Sequence, residues 1–263
     1  MSAEEMAWFL QEDMVKSYES WYEGEGEGAD ILEKELLKEL VDYLGGVGSM
    51  LEVGVGTAHF ARWFETFGIQ CVGLDLSLPM LREAKRLWKG AVIRGDAHHL
   101  PFREKTFDLV TFITCMEFVR NPIGVLREAS IVSRNGIVCG MLNKWSLPAL
   151  QRKFQVMLGK NPFYRNARFY SIKDAKSLVR KALHEINYEM KWSTTIHPRL
   201  ALSKSSKIPI GAFLAVAVKF SNSKGLAMPE AGKFFPTPLL YDVIRGFCPT
   251  QSDTYPTQPR CAG

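Results

Sequence analysis

The sequence predicts an α/β protein built around one doubly wound, mostly parallel β-sheet. Apolar stretches and helical patterns alternate from residue 49 to residue 142, which is typical of such sheets. A glycine-rich turn at 54–56 separates the first apolar stretch from the first helix, and acidic residues stand at or just after the ends of three successive strands. These observations predict a ligand site at the carboxyl edge of the sheet, where open α/β sheets bind their ligands.

A leading helix is predicted over residues 31–44, where leucines recur at helical spacing until Gly45 and Gly46 end the pattern. The alternation that follows predicts the sheet, because each apolar stretch has the length of a strand and each helical pattern connects it to the next. Strands are predicted at 49–53, 70–74, 91–94, 107–114 and 136–142, with helices at 58–67, 78–88 and 123–133.

After the fifth strand the chain departs from this rhythm. Aromatic and basic residues interleave over 144–170, which we interpret as an insertion that covers the edge of the sheet. Ser171 and Asp174 form an N-cap signature that predicts a helix to about residue 183. Two further strands are predicted at 186–195 and 212–220. Their proximity in sequence predicts an antiparallel hairpin at the edge of the sheet.

The composition is that of a globular protein, since 46% of the 263 residues are hydrophobic and 23% are charged. The five cysteines are widely spaced and form no C-x-x-C pair, which argues against a disulfide framework or a zinc site and favours a reducing cytoplasm. We expect no secretory signal, and the longest apolar run, 208–218, is too short to span a bilayer.

The glycine turn carries the first functional signal. Glycines at 54 and 56 let the backbone turn tightly and let a ligand approach closely. A dinucleotide-binding fingerprint would have a third glycine where His59 stands, and Glu52 places an acid at the strand end instead. The turn therefore favours a ligand with an ammonium group over a pyrophosphate, although a plain strand-to-helix connection would have the same glycines.

Two further acids extend this predicted site. Asp75 follows Gly56 by about twenty residues, the spacing of a carboxylate that accepts hydrogen bonds from ribose hydroxyls. Asp96 follows the third strand, where a carboxylate can accept a hydrogen bond from an adenine amino group, whereas an isolated aspartate there would be only a turn residue. Three acids beside one glycine turn favour a nucleoside ligand.

Four motifs in combination carry a resemblance to a known family. They are Glu52-x-Gly54-x-Gly56-Thr57, Gly73-x-Asp75-x-Ser77-x-x-Met80-Leu81, Gly95-Asp96-Ala97-x-x-Leu100-Pro101-Phe102 and Phe107-Asp108-Leu109-Val110. From Tyr18 to about Leu142 the chain resembles the class I S-adenosylmethionine (SAM)-dependent methyltransferases, which have a Rossmann-like fold. Within them it resembles the small-molecule branch that includes relatives of the ubiquinone and menaquinone methyltransferases. The resemblance implies SAM as the cofactor and methyl transfer as the activity.

The resemblance also implies roles for individual residues. Gly54 and Gly56 would pack against the methionine moiety, Asp75 would bind the ribose, and Asp96 with the Ala97 backbone would bind the adenine. The cofactor-binding residues implied in this way are Glu52, Gly54, Gly56, Thr57, Asp75, Leu76, Asp96, Ala97, Thr114 and Tyr22. The family usually has another glycine in place of Ala58, and we expect cofactor binding to survive because the added methyl group is small.

By the same resemblance we predict three segments: an N-terminal helical lid at 1–45, a SAM-binding domain at 46–220 with the insertion at 144–170, and a proline-rich C-terminal tail at 221–263. The aromatic residues of the lid, Tyr18, Trp21 and Tyr22, would cover the cofactor. The cation–π attraction between an aromatic face and a nearby sulfonium is worth about 0.5–2 kcal/mol. An ordinary amphipathic helix with its aromatic side chains in the core is the alternative.

Methyl transfer needs a strong base only if the nucleophile must lose a proton. Glu117, at the end of the fourth strand, is the candidate catalytic base or orienting group, with a role in helix entry as the alternative. His98 and His99 titrate near physiological pH, but the family uses this stretch mainly for its backbone, so we predict a structural role for them. The Asn-Pro-Phe-Tyr stretch at 161–164 lies far from the fourth strand, where amino-group methyltransferases carry N-P-P-Y. No metal site is predicted.

We expect a small apolar or aromatic acceptor, with an anionic group if it is charged, and no nucleic-acid partner. Residues 1–44 carry a net charge of −10 and residues 144–207 a net charge of +11. Both segments are solvated faces, or they attract each other, or the basic segment attracts an anionic partner. Leu147, Leu150 and Phe154 share one side of a predicted helix, which packs on the sheet as a lid or makes weak contact with a membrane surface. Methylation of nucleic acid or protein, and SAM binding without catalysis, remain alternatives. The oligomeric state is left open.

Overall fold

The computed structural model of the protein describes residues 8–157, 162–164, 167–195 and 209–221. These residues form one seven-stranded sheet with helices on both faces. The predicted proline-rich tail lies outside the described residues from position 222 onward, as do parts of the predicted insertion. Among the helices of the described chain, none is long and apolar enough to cross a membrane.

The strand order is β3-β2-β1-β4-β5-β7-β6, with β1 to β5 parallel and with β6 and β7 antiparallel at one edge. The strands are β1 Ser49–Val53, β2 Gln70–Asp75, β3 Ala91–Arg94, β4 Phe107–Ile113, β5 Ser133–Leu142, β6 Tyr188–Thr194 and β7 Phe213–Phe220. The helices are α1 Glu12–Tyr22, α2 Glu27–Leu44, α3 His59–Glu65, α4 Leu78–Leu87, α5 Pro122–Val132, α6 Leu147–Met157 and α7 Ile172–Ala182. Short 3₁₀ helices lie at Trp8–Leu10, Met116–Phe118 and Pro162–Tyr164.

This architecture confirms the predicted doubly wound sheet and its antiparallel hairpin edge. Strand β5 begins earlier than predicted, at Ser133, because Ser133 pairs with Phe107 across a register shift between β4 and β5. Helix α2 begins at Glu27, ahead of the predicted start. The strand order reverses between β1 and β4, and such a reversal is where doubly wound sheets open a crevice for ligands.

The two faces of the sheet bury separate apolar cores. Within β1, Met50 faces one core while Leu51 faces the other, as the alternation of side chains along a strand requires. Helices α2, α3 and α4 cover the Met50 side, with Leu37 fully buried. Helices α5 and α7 cover the opposite side through Val125 and Val179. The turns at the carboxyl edge therefore connect elements that are fixed by packing on both faces.

Asp108 joins the amino-terminal ends of three strands. Its Oδ2 accepts hydrogen bonds from the backbone amides of Gly48 and Ser49 and from the Ser49 hydroxyl at 3.0, 2.9 and 3.0 Å. Arg134 on β5 pairs with its Oδ1 at 3.0 Å. Burial alone would raise the pKa of Asp108, but Arg134 and the hydrogen bonds from Gly48 and Ser49 outweigh burial and lower it. The carboxylate thus holds β1, β4 and β5 together.

Replacing this carboxylate should destabilise the sheet. Asp108→Ala should lower the free energy of unfolding by about 1–3 kcal/mol, because two backbone amides and Arg134 lose their acceptor. Asp42→Ala is the matched control, since Asp42 makes an exposed ion pair with Lys38 that is worth at most about 0.5 kcal/mol. Equilibrium unfolding in urea measures both losses. Equal losses in the two variants would contradict the role of Asp108.

Candidate functional site

The candidate site begins at the turn between β1 and α3, at the carboxyl edge of the sheet. Gly54 and Gly56 adopt left-handed conformations with φ of 73° and 54°. A side chain at position 54 would also collide with Cys115, whose Sγ would lie 2.3 Å from the added Cβ. Ala58, which stands where the family has a glycine, is left-handed as well, with φ of 65°. An alanine in this region costs about 1–2 kcal/mol, so the turn tolerates strain at that position.

Glu52 lies in β1 just before this turn and is only 2% exposed. Its Oε2 atom has no hydrogen-bond partner among the residues that the structure describes. Burial raises the pKa of Glu52 to about 8, and the nearby charge of Asp75 adds to this rise. The hydrogen bond from the Ala61 amide lowers the pKa but does not outweigh burial. A buried carboxylate oxygen without a donor is costly, and a bound ammonium group would supply the missing donor. Glu52 thus fits a ligand with an amino group.

Asp75 ends β2 beside the same turn. Its Oδ2 accepts a hydrogen bond from the Gly56 amide at 2.9 Å, and its Oδ1 accepts one from the Ser77 amide at 2.8 Å. Burial raises the pKa of Asp75, while these amides and that of Leu76 lower it. The two amide bonds fix the carboxylate in place, and each oxygen keeps a lone pair for a hydroxyl donor. Leu76 beside it is 53% exposed.

Asp96 follows β3 at the same edge, next to Ala97. Its Oδ1 accepts a hydrogen bond from the His98 amide at 2.9 Å. The same oxygen lies 2.6 Å from the His98 ring Nδ1 and forms a second hydrogen bond with it. These His98 contacts lower the pKa of Asp96. The other ring nitrogen of His98 accepts a hydrogen bond from the Asn121 amide at 3.3 Å. His98 therefore orients Asp96, which accords with the structural role predicted for it.

The end of β4 brings two more predicted residues to the edge. Thr114 is left-handed, with φ of 47°, and its amide donates to the Gly140 carbonyl at 2.8 Å. Glu117 lies in the 3₁₀ helix that follows and is 2% exposed. Its Oε1 accepts a hydrogen bond from the Leu142 amide at 2.5 Å, whereas its Oε2 has no partner within the described chain. Burial raises the pKa of Glu117 to about 7, a value suited to proton exchange near neutral pH.

The N-terminal segment binds directly to the glycine turn and to the start of α4. The Thr57 hydroxyl donates to Glu19 of α1, and Arg62 of α3 pairs with the same carboxylate at 2.8 Å. The Ser77 hydroxyl donates to the Phe9 carbonyl. These contacts hold α1 and the preceding 3₁₀ helix over the edge of the sheet where Glu52 and Asp75 lie.

Tyr22 is buried and stacks on His59, with ring centroids 3.6 Å apart. His59 in turn hydrogen-bonds with Asp30 of α2 at 2.7 Å. Tyr22 thus belongs both to the segment over the site and to the core on the α2 side of the sheet. The N-terminal segment contacts the predicted insertion through aromatic rings, with the ring centroids of Trp8 and Phe163 5.0 Å apart.

One of the two alternatives predicted for α6 is wrong: Leu147 and Leu150 do not pack on the sheet, since they are 77% and 66% exposed. Ala149 is buried instead, against Leu142 and Phe169. The other alternative, weak contact with a membrane surface, stays a prediction. The side chain of Phe154, which belongs to the same predicted stripe, lies outside the described residues.

Sequence analysis missed Glu33, a glutamate of α2 that is only 8% exposed. It occupies the buried face of the helix, one turn before Leu36 and Leu37. A glutamate at a core position of an apolar helical stripe was the signal that could have identified it. Among the described residues no group of histidine, cysteine and acidic side chains could hold a metal ion, so the arrangement is one of buried acids, glycines and aromatic rings.

Comparisons with known proteins agree with this geometry. A family model described as a methyltransferase domain matches residues 51–139. The chain is 30% identical over 215 residues to an uncharacterized protein of Methanocaldococcus jannaschii, which covers 78% of this chain and 96% of that protein. It is 35% identical over 100 residues to the demethylmenaquinone methyltransferase of Renibacterium salmoninarum, and this match covers 37% of this chain and 42% of that enzyme.

Among solved structures, one from Thermotoga maritima is described as a SAM-dependent methyltransferase and possible histamine N-methyltransferase. It has a TM-score of 0.67 and 27% identity, and the match covers 81% of this chain and 98% of that one. This match covers much more of the chain than residues 51–139. The chain belongs to the class I SAM-dependent methyltransferases, and SAM is its cofactor.

Proposed function

We propose that this enzyme transfers the methyl group of SAM to a small apolar or aromatic acceptor. The observation that carries the proposal is the cover over the carboxyl edge, where Trp8 packs against Tyr18 at 5.2 Å and against Phe163 at 5.0 Å. An aromatic cover of this kind suits an enclosed small molecule, whereas a nucleic acid needs an open basic groove. The demethylmenaquinone methyltransferase relative, named for a small molecule, gives further support.

We propose the following placement of the cofactor. The free oxygen of Glu52 accepts the ammonium group of the methionine moiety, which packs against Gly54 and Gly56. Asp75 accepts from the ribose hydroxyls, and Asp96 accepts from the adenine amino group. The remaining residues proposed to line the cofactor are Thr57, Leu76, Ala97, Thr114 and Tyr22. This placement gives each edge carboxylate a donor that the ligand can supply.

SAM supplies an activated methyl group, so the residues of the chain act mainly by positioning and by excluding water. Holding the nucleophile in line with the methyl group is worth up to about 7–11 kcal/mol in favourable cases. The lid contributes by covering the site through the Thr57–Glu19 and Ser77–Phe9 contacts. Glu117 is the proposed proton acceptor, because its free oxygen is buried near the end of β4. We also propose a cytoplasmic location, which the wide spacing of the cysteines supports.

Methyl-labelled SAM tests the proposed activity. Incubation of the enzyme with the labelled cofactor and a small-molecule fraction of a cell extract should yield a labelled product of low molecular mass, identified by mass spectrometry. Label found only in protein or nucleic acid would contradict the proposed acceptor class. SAM binding without a labelled product from any fraction would mean that the chain binds the cofactor without transferring its methyl group.

Calorimetry tests the proposed cofactor site. SAM should bind and NAD should not, because the position of a third fingerprint glycine is occupied by His59. Asp75→Ala should weaken SAM binding by about 1.5–3 kcal/mol, the usual worth of a hydrogen bond to a charged group. Asp42→Ala, far from the edge on α2, is the matched control and should bind SAM normally. Unchanged affinity in Asp75→Ala would show that the ribose lies elsewhere.

A further inference from the structure

Two glutamates and two tyrosines form a second group of side chains near the end of β4, beyond the carboxylates proposed to bind SAM. We call them the acidic–aromatic cluster: Tyr18 of α1, Glu33 of α2, Glu117 of the 3₁₀ helix after β4, and Tyr164 of the 3₁₀ helix in the insertion. The four residues come from four segments that are distant in sequence. The cluster therefore exists only in the folded protein.

The members of the cluster lie close enough to interact electrostatically. Glu33 interacts with Glu117, and Tyr164 interacts with both glutamates. Tyr18 interacts with Glu33 and Tyr164, and its hydroxyl lies 2.9 Å from that of Tyr22. Tyr18 also hydrogen-bonds with Thr114, which places the cluster beside one of the residues proposed to line the cofactor.

The two glutamates are buried without enough positive charge to balance them. Glu33 is 8% and Glu117 is 2% exposed, and Glu117 Oε2 is unpartnered within the described chain. The guanidinium of Arg152 lowers the pKa of both glutamates and lies 5.1 Å from the Tyr164 ring. Lys34 also lowers the pKa of Glu33, but its ammonium group is paired with Asp30 at 2.6 Å. The two cations therefore face three carboxylates, which leaves a net negative charge when all three are ionised. Buried carboxylates need a paired charge or hydrogen-bond donors.

We propose that the acidic–aromatic cluster binds the basic nitrogen of the acceptor, so that the enzyme methylates small amines. The inference rests on the proposed function and adds the chemical class of the acceptor. An ammonium group offers three donors and a positive charge, which match the free oxygen of Glu117 and the carboxylate of Glu33. The faces of Tyr18 and Tyr164 add a cation–π attraction.

The same carboxylates account for the proton that N-methylation must remove. The acceptor enters as R–NH₃⁺ and gives one proton to the free oxygen of Glu117, which leaves a neutral amine with a lone pair. The amine nitrogen then forms a bond to the methyl carbon as the sulfur–carbon bond of SAM breaks, giving R–NH₂⁺–CH₃. The proton on Glu117 passes to solvent when the site opens, so one proton is released per turnover.

An anionic acceptor is the alternative that the basic insertion suggests, with Arg152 as its partner. Such a ligand would lie beside Glu33 and Glu117 and would be repelled by both whenever they are ionised. The cluster therefore favours a cation, which replaces the anionic group expected from the charge of segment 144–207.

Amine binding should strengthen as the pH rises from 6 to 9. Burial raises the pKa of Glu117 to about 7 and that of Glu33 to about 8, so both are largely neutral at pH 6 and ionised at pH 9. A primary amine stays protonated until about pH 10. The charged and titratable groups of the described residues that interact with these two glutamates are Tyr18, Tyr22, Asp30, Lys34, Cys115, Cys139, Arg152, Tyr164 and Tyr170. Below the pKa of each glutamate, the affinity for the amine should rise by about tenfold per pH unit for each proton that the glutamate must lose on binding.

A panel of matched ligands tests the proposal. The probes are primary amines on aliphatic and aromatic skeletons, including 2-phenylethylamine, each compared with the alcohol and the carboxylate of the same skeleton. Binding is measured by calorimetry at pH 8 with the enzyme saturated by S-adenosylhomocysteine. We expect amines to bind at least about tenfold more tightly than their matched alcohols and carboxylates. If no amine outbinds its two counterparts, the proposal is overturned.

Isosteric variants locate the effect. Glu33→Gln should lower the affinity for the best amine by about tenfold or more and flatten its pH dependence, while the affinity for S-adenosylhomocysteine stays within about twofold. Glu27→Gln, an exposed position on the same helix, is the matched control and should change neither affinity. Equal amine affinity and equal pH dependence in Glu33→Gln and the wild type would overturn the assignment of the site.

Product analysis separates this inference from the proposed function. Labelled methyl groups on the nitrogen of small extract components would support both. Label on the oxygen or carbon of small non-basic molecules would leave the proposed function intact and overturn the amine site. No labelled small molecule at all would instead defeat the proposed function.

Discussion

Negative charge buried at the carboxyl edge of the sheet is the constraint on which the rest of this structure depends. Parallel strands end at one edge, and here Asp75 ends β2, Glu52 is the last residue but one of β1, and Glu117 lies in the 3₁₀ helix after β4. Burial raises the pKa of each of these carboxyl groups, which shows the cost of ionising them. Ligands that bring positive charge or donors relieve that cost, and in the proposed placement SAM would bring an ammonium group, a sulfonium and two hydroxyls to the same edge.

The cover over this edge follows from the same constraint. Water at the site would hydrate the carboxylates and weaken their attraction for a cation, because electrostatic interactions are stronger where water is excluded. The N-terminal segment covers this edge with rings, such as Trp8 against Phe163, and is held by hydrogen bonds from Thr57 and Ser77. The proposed cofactor turn and the cover are therefore held by the same contacts, so the proposed binding of cofactor and covering of the acceptor would depend on one assembly.

Local pattern determined most of the fold and half of the site. The strand and helix alternation predicts β1 to β5, and the left-handed turn needs glycines that are visible in the sequence at 54 and 56. Glu33 was not predicted, because a glutamate in an amphipathic helix normally faces solvent, and only the packing of α2 against the sheet buries it. The exposure of Leu147 and Leu150 could not be decided from the sequence, since periodicity defines an apolar side without showing what covers it.

The central claim is that the free oxygen of Glu52 accepts the ammonium group of SAM. Because the pKa of Glu52 is raised to about 8, the carboxyl group is largely protonated at pH 7, and an ammonium bound beside it would drive it to ionise. Calorimetric titration with SAM in buffers of different ionisation enthalpy measures the protons released on binding. The account predicts a release of up to about one proton in the wild type and a clearly smaller release in Glu52→Gln. Equal release in the two proteins, or none in the wild type, would contradict it.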